Sequence, residues 1–264
     1  MVYPLYLTIS NIPKDIQRKP SHYAQTLLAY LPTTYLKHIM NDASQRRMVH
    51  NLFHSCLSQV LAPLRQAAID GILLKDGSGV PWWGHPILAA YIGDYPEQVL
   101  VTGTKTKDCP KCNIPADKLG SLTEPCELRN LQVILNMLAL ADSDPRSFQE
   151  ACNNLHIKPI FQPFFAQLPY TNIFQSITPN ILHQLLQGIL WHLLPWLIQA
   201  YGASKINTRC QRLIPNHHIQ IFSSRITSDE ITGHSTAQES LGKTLTPHYL
   251  ISWWSDHYCP KTKW

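Results

Sequence analysis

Residues 85–98 read HPILAAYIGDYPEQ, in which a continuous apolar run ends at Gly93 and Asp94. An apolar run of this length, bounded by turn-forming residues, is typical of a strand that is buried on both faces. The sequence therefore predicts a buried strand over residues 86–92 that carries Asp94 at its carboxyl end. Enzymes that transfer phosphoryl groups with two metal ions use carboxylates as Mg²⁺ ligands. Asp-Tyr-Pro is also ordinary turn chemistry, so Asp94 alone leaves both interpretations open.

The segments on either side of this run predict a mixed fold. Residues 3–9 read YPLYLTI and are followed by the turn-forming NIPKD, which indicates a strand. Apolar residues at three- and four-residue steps predict a helix from Asp42 to Asp70, with a kink near Pro63. Further helices are predicted over residues 128–140, from Asp144, and as a long buried helix over 178–201. Strands and helices together place the chain in the α/β class.

The composition is that of a globular protein. Among 264 residues, 15% are charged and 44% are hydrophobic, which excludes an intrinsically disordered chain. Twenty prolines against eleven glycines exclude a long coiled-coil rod. The formal net charge of +5 is compatible with a nucleic-acid partner but does not establish one. The most apolar run, residues 189–198, is too short to span a bilayer, so we expect no membrane partner.

The cysteines contain one motif with metal-ligand spacing. Seven cysteines is an odd number and no secretory signal is visible, which favours an intracellular, reducing compartment over a disulfide framework. Cys109-Pro-Lys-Cys112 can turn two thiolates towards one Zn²⁺, which needs two further ligands. Cys126 and either His85 or His183 are candidates for these, although their spacing is not diagnostic. A structural pair of reduced cysteines and, with weaker support, a redox pair are the alternatives.

The remaining motifs give little support to other enzyme classes. The Walker A loop, Gly-x-Gly-x-x-Gly, Gly-x-Ser-x-Gly and His-Glu-x-x-His are all absent from the sequence. Their absence weakens nucleotide-binding, serine-hydrolase and zincin hypotheses, and we expect no small-molecule substrate. Asn180 and His183 lie three residues apart on the predicted long helix, where a single histidine is more often a core residue than a ligand.

Four phrases, in order along the chain, resemble one protein family. They are YPLYLTISNIPKDI at residues 3–16, HPILAAYIGDYPEQ at 85–98, CPKC at 109–112 and SITPNILHQL at 176–185. Together they resemble the central part of Plavaka transposases, a fungal family in the Kyakuja-Dileera-Zisupton group of cut-and-paste DNA transposases. The resemblance extends over about residues 1–232.

The resemblance implies an RNase H-like core whose Asp-Asp-Glu triad holds two divalent metal ions, Mg²⁺ or Mn²⁺, for DNA cleavage and strand transfer. Asp94 corresponds to the second acid of that triad and would be a metal ligand. Asn180 and His183 match an Asp-x-x-His or Cys-x-x-His motif of the helical insertion, but asparagine replaces the charged residue here. DNA as the partner and the nucleus as the location follow from the same resemblance, which is also compatible with a homo-oligomer.

Two parts of the family pattern have no counterpart in the sequence. The first acid belongs to a Ser-Asp-Lys-Thr-like phrase that would precede the first strand, and neither Glu230 nor Glu239 stands in a phrase that matches the last acid. After Thr232 the sequence gives way to an unrelated, tryptophan-rich tail. We therefore expect a truncated RNase H-like core over residues 1–108, the Cys-x-x-Cys segment and a largely helical insertion over 109–232, and a divergent tail over 233–264. Such a chain is predicted to be an inactive transposase fragment.

Two alternatives stay open. One is a non-enzymatic, zinc-stabilised module that binds DNA or another partner through the Cys109 and Cys112 motif and a basic set. The basic candidates are Lys14, Arg18, Lys19, Arg46 and Arg47. The other is an unselected remnant that folds poorly, because the loss of a first strand would leave an unpaired sheet edge.

Overall fold

A computed structural model describes residues 2–17, 19–34, 36–121, 126–180, 183–184, 188–189 and 191–212. The chain divides into two compact units, one made of Met1–Thr8 with Gln25–Thr178 and the other of Ile9–Ala24 with Pro179–Trp264. The predicted tail over residues 233–264 lies outside the described residues.

The strands form three two-stranded sheets within the described part of the chain. In chain order the strands are β1 (Val2–Thr8), β2 (Gln25–Pro32), β3 (Ile72–Lys75), β4 (Pro81–Gly84), β5 (Tyr91–Gly93) and β6 (Ile177–Pro179). The pairs are β1 with β2, β3 with β4, and β5 with β6. The first two pairs are antiparallel, and β1 shifts register between Leu5 and Tyr6.

The helices account for most of the remaining regular structure. In chain order they are α1 (Lys14–Gln17), α2 (Asp42–Val60), α3 (Ala62–Asp70), α4 (Tyr95–Thr102), α5 (Leu131–Leu138), α6 (Pro145–Asn154), α7 (Ile173–Ser176), α8 (Trp191–Tyr201) and α9 (Ala203–Gln211). Helices and small sheets together agree with the α/β class. None of the helices in the described residues is long and apolar enough to cross a membrane.

Polar residues begin the longer helices where the sequence predicts them. Asn41 caps α2 by accepting a hydrogen bond from the Ser44 N–H at 2.9 Å. Asp144 caps α6 by accepting from the N–H groups of Arg146 and Ser147. Each cap satisfies N–H groups that have no partner inside the helix. The predicted kink near Pro63 is a break, since α2 ends at Val60 and α3 begins at Ala62.

The core of the first unit is built around three phenylalanines. Phe164, Phe165 and Phe174 are almost completely buried, and their rings contact one another edge to face. Leu57 of α2 and Val101 of α4 are buried in the same cluster. The residue after α4, Gly103, has a left-handed φ of 71°, and an Ile160 methyl group lies where a Cβ would stand. The core therefore fixes α4 and the strand that precedes it.

Two sequence predictions were wrong in part. The strand predicted over residues 86–92 is reduced to Tyr91–Gly93, and Ile87 is half exposed. Pro86 cannot donate to a strand ladder, which disfavours an earlier start. The long buried helix predicted over 178–201 is wrong at its start, because Thr178 and Pro179 belong to β6. The described residues 183–184 and 188–189 are π-helical, and the α-helix α8 begins at Trp191. A residue before proline is disfavoured in helical conformation, which explains the strand at Thr178.

The second unit is mainly helical in its described residues. It contains α1, α8 and α9, and α8 has Pro195 in its interior. The α8 side chains of Leu193, Trp196 and Tyr201 are exposed, so the helix is not buried as predicted. The rings of His192 and Trp196 stack with centroids 6.3 Å apart.

Candidate functional site

Asp94 joins β5 to α4 and caps the helix. Its backbone is extended, with φ −69° and ψ 172°, and its Oδ1 accepts a hydrogen bond from the Glu97 N–H at 2.9 Å. Its carbonyl oxygen accepts from the Gln98 N–H at 2.8 Å, and Pro96 stands in the first turn. A carboxylate is favoured at this end of a helix because the unpaired N–H groups carry partial positive charge. The predicted catalytic acid thus has a local structural task.

Glu97 lies beside Asp94 and is held by two tyrosines. The Tyr91 hydroxyl donates to Glu97 Oε1 at 2.8 Å, and the Tyr3 hydroxyl donates to Oε2 at 2.5 Å. Burial raises the pKa of Glu97, the two tyrosine hydroxyls oppose that rise, and the charge of Asp94 adds to it. The pKa values of both tyrosines are raised, chiefly by burial. Two carboxylates and two phenols therefore meet where β1, β5 and α4 come together.

The sequence prediction missed Glu97. Glu97 stands three residues after Asp94, which is the spacing of a capping box and was the available signal. Gly93 makes room for its side chain, since a Cβ on Gly93 would lie 2.8 Å from the Glu97 carboxyl carbon. The partner Tyr3 is 94 residues away, so no local pattern reveals the contact.

Tyr95 connects this acidic pair to the cysteine motif. Its hydroxyl donates to the Asp108 carbonyl oxygen at 3.0 Å and accepts from the Lys107 N–H at 2.7 Å. Burial raises the pKa of Tyr95. Lys107 has a left-handed φ of 81°, which is uncommon for a residue with a side chain. The start of α4 and the loop that leads to Cys109 are thus held together.

The Cys109 and Cys112 thiols meet in a tight turn. The Cys109 sulfur accepts hydrogen bonds from the backbone N–H groups of Cys112 and Lys111, and it also forms a hydrogen bond with the Cys112 thiol, both cysteines being free thiols. Burial raises the pKa of the Cys109 thiol, and the two backbone donors oppose this rise. Cys112 is buried and pairs with Leu128 in an isolated antiparallel bridge. The two sulfurs are therefore preorganised as a pair.

Arg129 holds the turn from the other side. Its Nε donates to the Cys109 carbonyl oxygen at 2.9 Å, and its Nη1 donates to the Leu155 carbonyl oxygen at 2.8 Å. Burial lowers the pKa of Arg129, while Asp108 and the two cysteines oppose that change. Asp108 in turn pairs with His156, with 3.2 Å between Oδ2 and Nδ1.

Among the described residues of the first unit, the predicted metal ligands Asp94, Cys109, Cys112 and Cys126 do not form one cluster. Cys126 is exposed, and Asp94 caps α4. His183 belongs to the other unit, where its N–H donates to Asn180 Oδ1 at 3.3 Å. Across the described residues, no three His, Cys, Asp or Glu side chains are grouped so that they could hold a metal ion.

The predicted basic residues are likewise divided. Arg46 and Arg47 are exposed on α2, and Arg47 Nη2 donates to Ser44 Oγ at 3.0 Å. Lys19 is exposed and belongs to the other unit. Arg18 and the side chain of Lys14 lie outside the described residues.

Comparison with known proteins identifies the family. No curated protein and no solved structure matched the chain. The family model described as Plavaka transposase matches residues 1–197 of the 264. All four phrases quoted above lie within the matched residues, although the match ends before residue 232, to which the resemblance was expected to extend. The chain belongs to the Plavaka transposase family.

Proposed function

We propose that this chain is a DNA-directed, transposase-derived protein of the Kyakuja-Dileera-Zisupton group. In this proposal Asp94 holds the position of the second acid of an RNase H-like, Asp-Asp-Glu core. The observation that supports it is the placement of Asp94 at the carboxyl end of β5, directly before α4. Membership of a transposase family supports DNA as the partner. The proposed organisation keeps a core over residues 1–108, an insertion over 109–232 and a tail over 233–264.

The described residues do not by themselves fit the two-metal centre that the family implies. Mg²⁺ or Mn²⁺ would activate the attacking oxygen and stabilise the leaving oxygen. Asp94 has one carboxylate oxygen occupied by the α4 cap, and both Glu97 oxygens accept bonds from tyrosines. No third acidic, histidine or cysteine side chain joins them in the described part of the chain. We therefore propose that the chain alone does not cut or join DNA.

The first test separates DNA binding from DNA cleavage. The purified chain is incubated with duplex DNA and Mg²⁺ or Mn²⁺, and we expect retention of DNA without cleavage or joining. Asp94→Asn removes one negative charge and keeps a side-chain acceptor for the cap. If DNA lies against Asp94, this variant binds DNA more tightly than the wild type, whereas Asp144→Asn, a change at the cap of α6, does not. Cleavage that Asp94→Asn abolishes would contradict the inactivity, and equal affinity of all three proteins would contradict the placement of Asp94.

A second candidate function rests on the cysteine turn. The backbone donors to Cys109 and the hydrogen bond between the two thiols favour a half-formed zinc site, which supports a non-enzymatic, zinc-stabilised DNA-binding or interaction module. Cys126 and His183 are the proposed further ligands, and Lys14, Arg18, Lys19, Arg46 and Arg47 the proposed DNA contacts. This candidate predicts bound zinc and DNA affinity that falls with salt.

Zinc content and salt dependence test this candidate. The zinc content of the purified chain is compared with that of two variants. Cys109→Ser removes a proposed ligand, and Cys56→Ser is the control, since Cys56 is a half-buried cysteine on α2 outside the motif. We expect zinc in the wild type and in Cys56→Ser and its loss in Cys109→Ser. Arg46→Ala with Arg47→Ala should lower the slope of log affinity against log salt by about 2. Absence of zinc from the wild type, or an unchanged slope, would contradict the corresponding part of the candidate.

The family also supports proposals about the location of the protein in the cell and about its partners. We expect the chain to act in the nucleus, where its DNA partner is, and to use no membrane or small-molecule partner. A fluorescent fusion of the full chain should concentrate in the nucleus, and a diffuse signal would contradict this proposal.

A further inference from the structure

A pocket with a volume of about 560 Å³ lies next to the cysteine turn. Its lining comes from Asp108, from residues 113–115 and 127–130, from the start of α5 and from the end of α6. This volume falls within the range of about 300–1,000 Å³ that is typical of ligand pockets. All of the lining belongs to the first unit. The roles proposed above for Asp94 and for the two thiols make no use of this pocket.

Backbone pairing holds the walls of the pocket in place. Two isolated antiparallel bridges, Cys112 with Leu128 and Thr104 with Ile157, connect the segments that supply most of the lining. Arg129 joins these segments, since its guanidinium donates to a carbonyl oxygen on each of them. The pocket is therefore formed before a ligand arrives, which lowers the entropic cost of binding.

The lining is polar, and its charged groups select against two kinds of ligand. Asp108 and Arg129 are buried, each with 6% of the residue exposed, and Glu127 is exposed. Three amide side chains complete the polar lining, those of Asn113, Asn130 and Asn154. A wholly apolar ligand would desolvate these groups without replacing their hydrogen bonds to water. A phosphate group would be repelled by the two carboxylates.

A basic loop runs beside the pocket. Residues 105–111 read KTKDCPK and contain three lysines with a single acid. Lys105 Nζ donates at 2.9 Å to Oδ1 of Asn153, the residue before one of the lining asparagines. Lys107 is exposed and Lys111 is partly exposed. None of the three lysines belongs to the basic set predicted from the sequence. Cations thus lie outside a pocket whose interior offers carboxylates and amides.

This arrangement separates the groups that suit phosphates from those that suit bases. In nucleic-acid recognition, phosphate contacts position the strand and contacts to base edges specify it. Carboxylates accept hydrogen bonds from the amino group of cytosine, and asparagine bonds bidentately to adenine. The His156 side chain lines the pocket and is 56% exposed, so its ring can stack on a base. Only a base that has left the duplex stack can enter a pocket.

We propose that this pocket binds one unpaired, amino-bearing base of DNA and that the lysines of residues 105–111 hold the flanking phosphates. Glu127 is the acceptor for the amino group, because Asp108 Oδ2 already pairs with His156 Nδ1 at 3.2 Å. Thymine and an abasic nucleotide lack the amino group and should bind less tightly. The inference rests on the proposed function in one respect, since it takes DNA as the partner, and it does not depend on Asp94.

Fluorescence anisotropy with the full chain tests the preference for an amino-bearing base. Four DNA duplexes differ only in one bulged nucleotide, which is adenine, cytosine, thymine or an abasic site. We expect the adenine and cytosine duplexes to bind about tenfold or more tightly than the other two, as is typical of a good base contact.

Matched variants locate the preference in the pocket. Glu127→Ala should reduce the discrimination about threefold or more, whereas Glu150→Ala, which removes the same charge from an exposed position on α6, should keep it. The loss of one negative charge changes the affinity for all four duplexes alike, so the ratio reports the base contact. Circular dichroism confirms that each variant is folded.

A second pair of variants tests the phosphate contacts. Lys107→Ala should weaken the binding of all four duplexes equally and lower the slope of log affinity against log salt by about 1. Lys75→Ala is the control, because Lys75 is exposed on β3 and does not line the pocket. Equal slopes for the two variants would overturn the placement of the phosphates.

The outcomes distinguish this inference from the proposed function. If no duplex is bound, DNA is not the partner and both are contradicted. If all four duplexes bind with equal affinity, or if the discrimination survives in Glu127→Ala, only the inference is overturned. If the duplexes bind alike and an oligoarginine peptide binds with an affinity that Glu127→Ala lowers and Glu150→Ala does not, the pocket takes a cationic side chain instead of a base.

Discussion

Glu97 is a half-buried carboxylate whose two oxygens are both bonded to tyrosine hydroxyls. Hydrogen bonds to a charged group contribute about 1.5–3 kcal/mol, and loss of one leaves part of that group's desolvation uncompensated. We expect Tyr91→Phe to lower the free energy of unfolding by about 1–3 kcal/mol. Denaturant unfolding at neutral pH measures the change. Tyr170→Phe is the control because Tyr170 is exposed, and an equal effect of the two substitutions would show that the Glu97 bond is not stabilising.

Gly93 is expected to be intolerant of any side chain. A Cβ there would lie 2.8 Å from the carboxyl carbon of Glu97, which the tyrosines prevent from moving away. Gly93→Ala should therefore destabilise the fold by about 1–3 kcal/mol, as overpacking does. Gly77→Ala is the matched control, since nothing lies within 4 Å of a Cβ at Gly77.

A double-mutant cycle with Glu97→Ala tests the cause of that intolerance. If the clash with Glu97 is responsible, Gly93→Ala should cost less in the Glu97→Ala background than in the wild type. The coupling should be about 1 kcal/mol or more, as for residues in contact. If the effects of the two substitutions are additive, the destabilisation caused by Gly93→Ala does not come from a clash with the Glu97 carboxyl group.

At the level of elements, α4 depends on Asp94, the residue that precedes its first turn. Asp94 supplies the side-chain cap, and its loss should expose an unpaired N–H. We expect Asp94→Ala to lower the free energy of unfolding by about 1 kcal/mol. Asp94→Asn should lower it much less, because asparagine also caps helices well. Thermal unfolding compares the two variants. A stability loss as large in Asp94→Asn as in Asp94→Ala would mean that the charge, and not the cap, stabilises this helix end.

The elements that the sequence predicts well are those with local causes. The starts of α2 and α6 follow from Asn41, Asp42, Asp144 and Pro145, and the break between α2 and α3 follows from Pro63. The predicted strand over residues 86–92 and the predicted helix over 178–201 both start too early in the sequence. Prolines and tertiary contacts override the apolar runs at these two starts. The β3 and β4 hairpin was missed because neither strand alternates apolar with polar residues.

The same difference between local and distant causes separates the site residues that the sequence predicts from those that it misses. Asp94 was predicted as a site residue because an apolar run, a glycine and an acid are adjacent in the sequence, and the Cys109 and Cys112 pair was predicted because its spacing is a known motif. Glu97 was missed because one of its partners, Tyr3, lies 94 residues away. The anchoring of the cysteine turn by Arg129 was missed for the same reason, since its contact with Leu155 forms only after folding.

For the whole first unit, two core histidines link folding to pH. His50 and His54 lie one turn apart on α2, are buried, and stack with ring centroids 5.2 Å apart. His54 Nε2 donates to the Leu100 carbonyl oxygen at 3.1 Å, whereas His50 Nε2 and His54 Nδ1 have no hydrogen-bond partner within the described residues. Burial is the main cause that lowers the pKa of His50 to about 3 and of His54 to about 4, and the nearby Lys158 lowers both further.

The sign of the pH dependence follows from these pKa values. In the unfolded chain both histidines take up protons below pH ~6.5, while in the folded chain they stay neutral until the pH approaches their lowered values. The unfolded state therefore binds more protons between about pH 4 and 6.5, and stability falls as the pH falls through that window. At full difference the two sites account for two protons, or about 2.7 kcal/mol per pH unit.

Replacement of both histidines should flatten this dependence. We expect His50→Phe with His54→Phe to unfold with a free energy that changes much less between pH 6.5 and pH 4.5 than that of the wild type, because phenylalanine keeps the ring packing against Phe164 and binds no proton. His22→Gln with His38→Gln removes two exposed histidines and should keep the wild-type slope. Urea unfolding at closely spaced pH values gives both slopes. Equal slopes for all three proteins would mean that carboxylates, and not the α2 histidines, couple protons to folding. The inference that His50 and His54 are buried in their neutral form would then be contradicted.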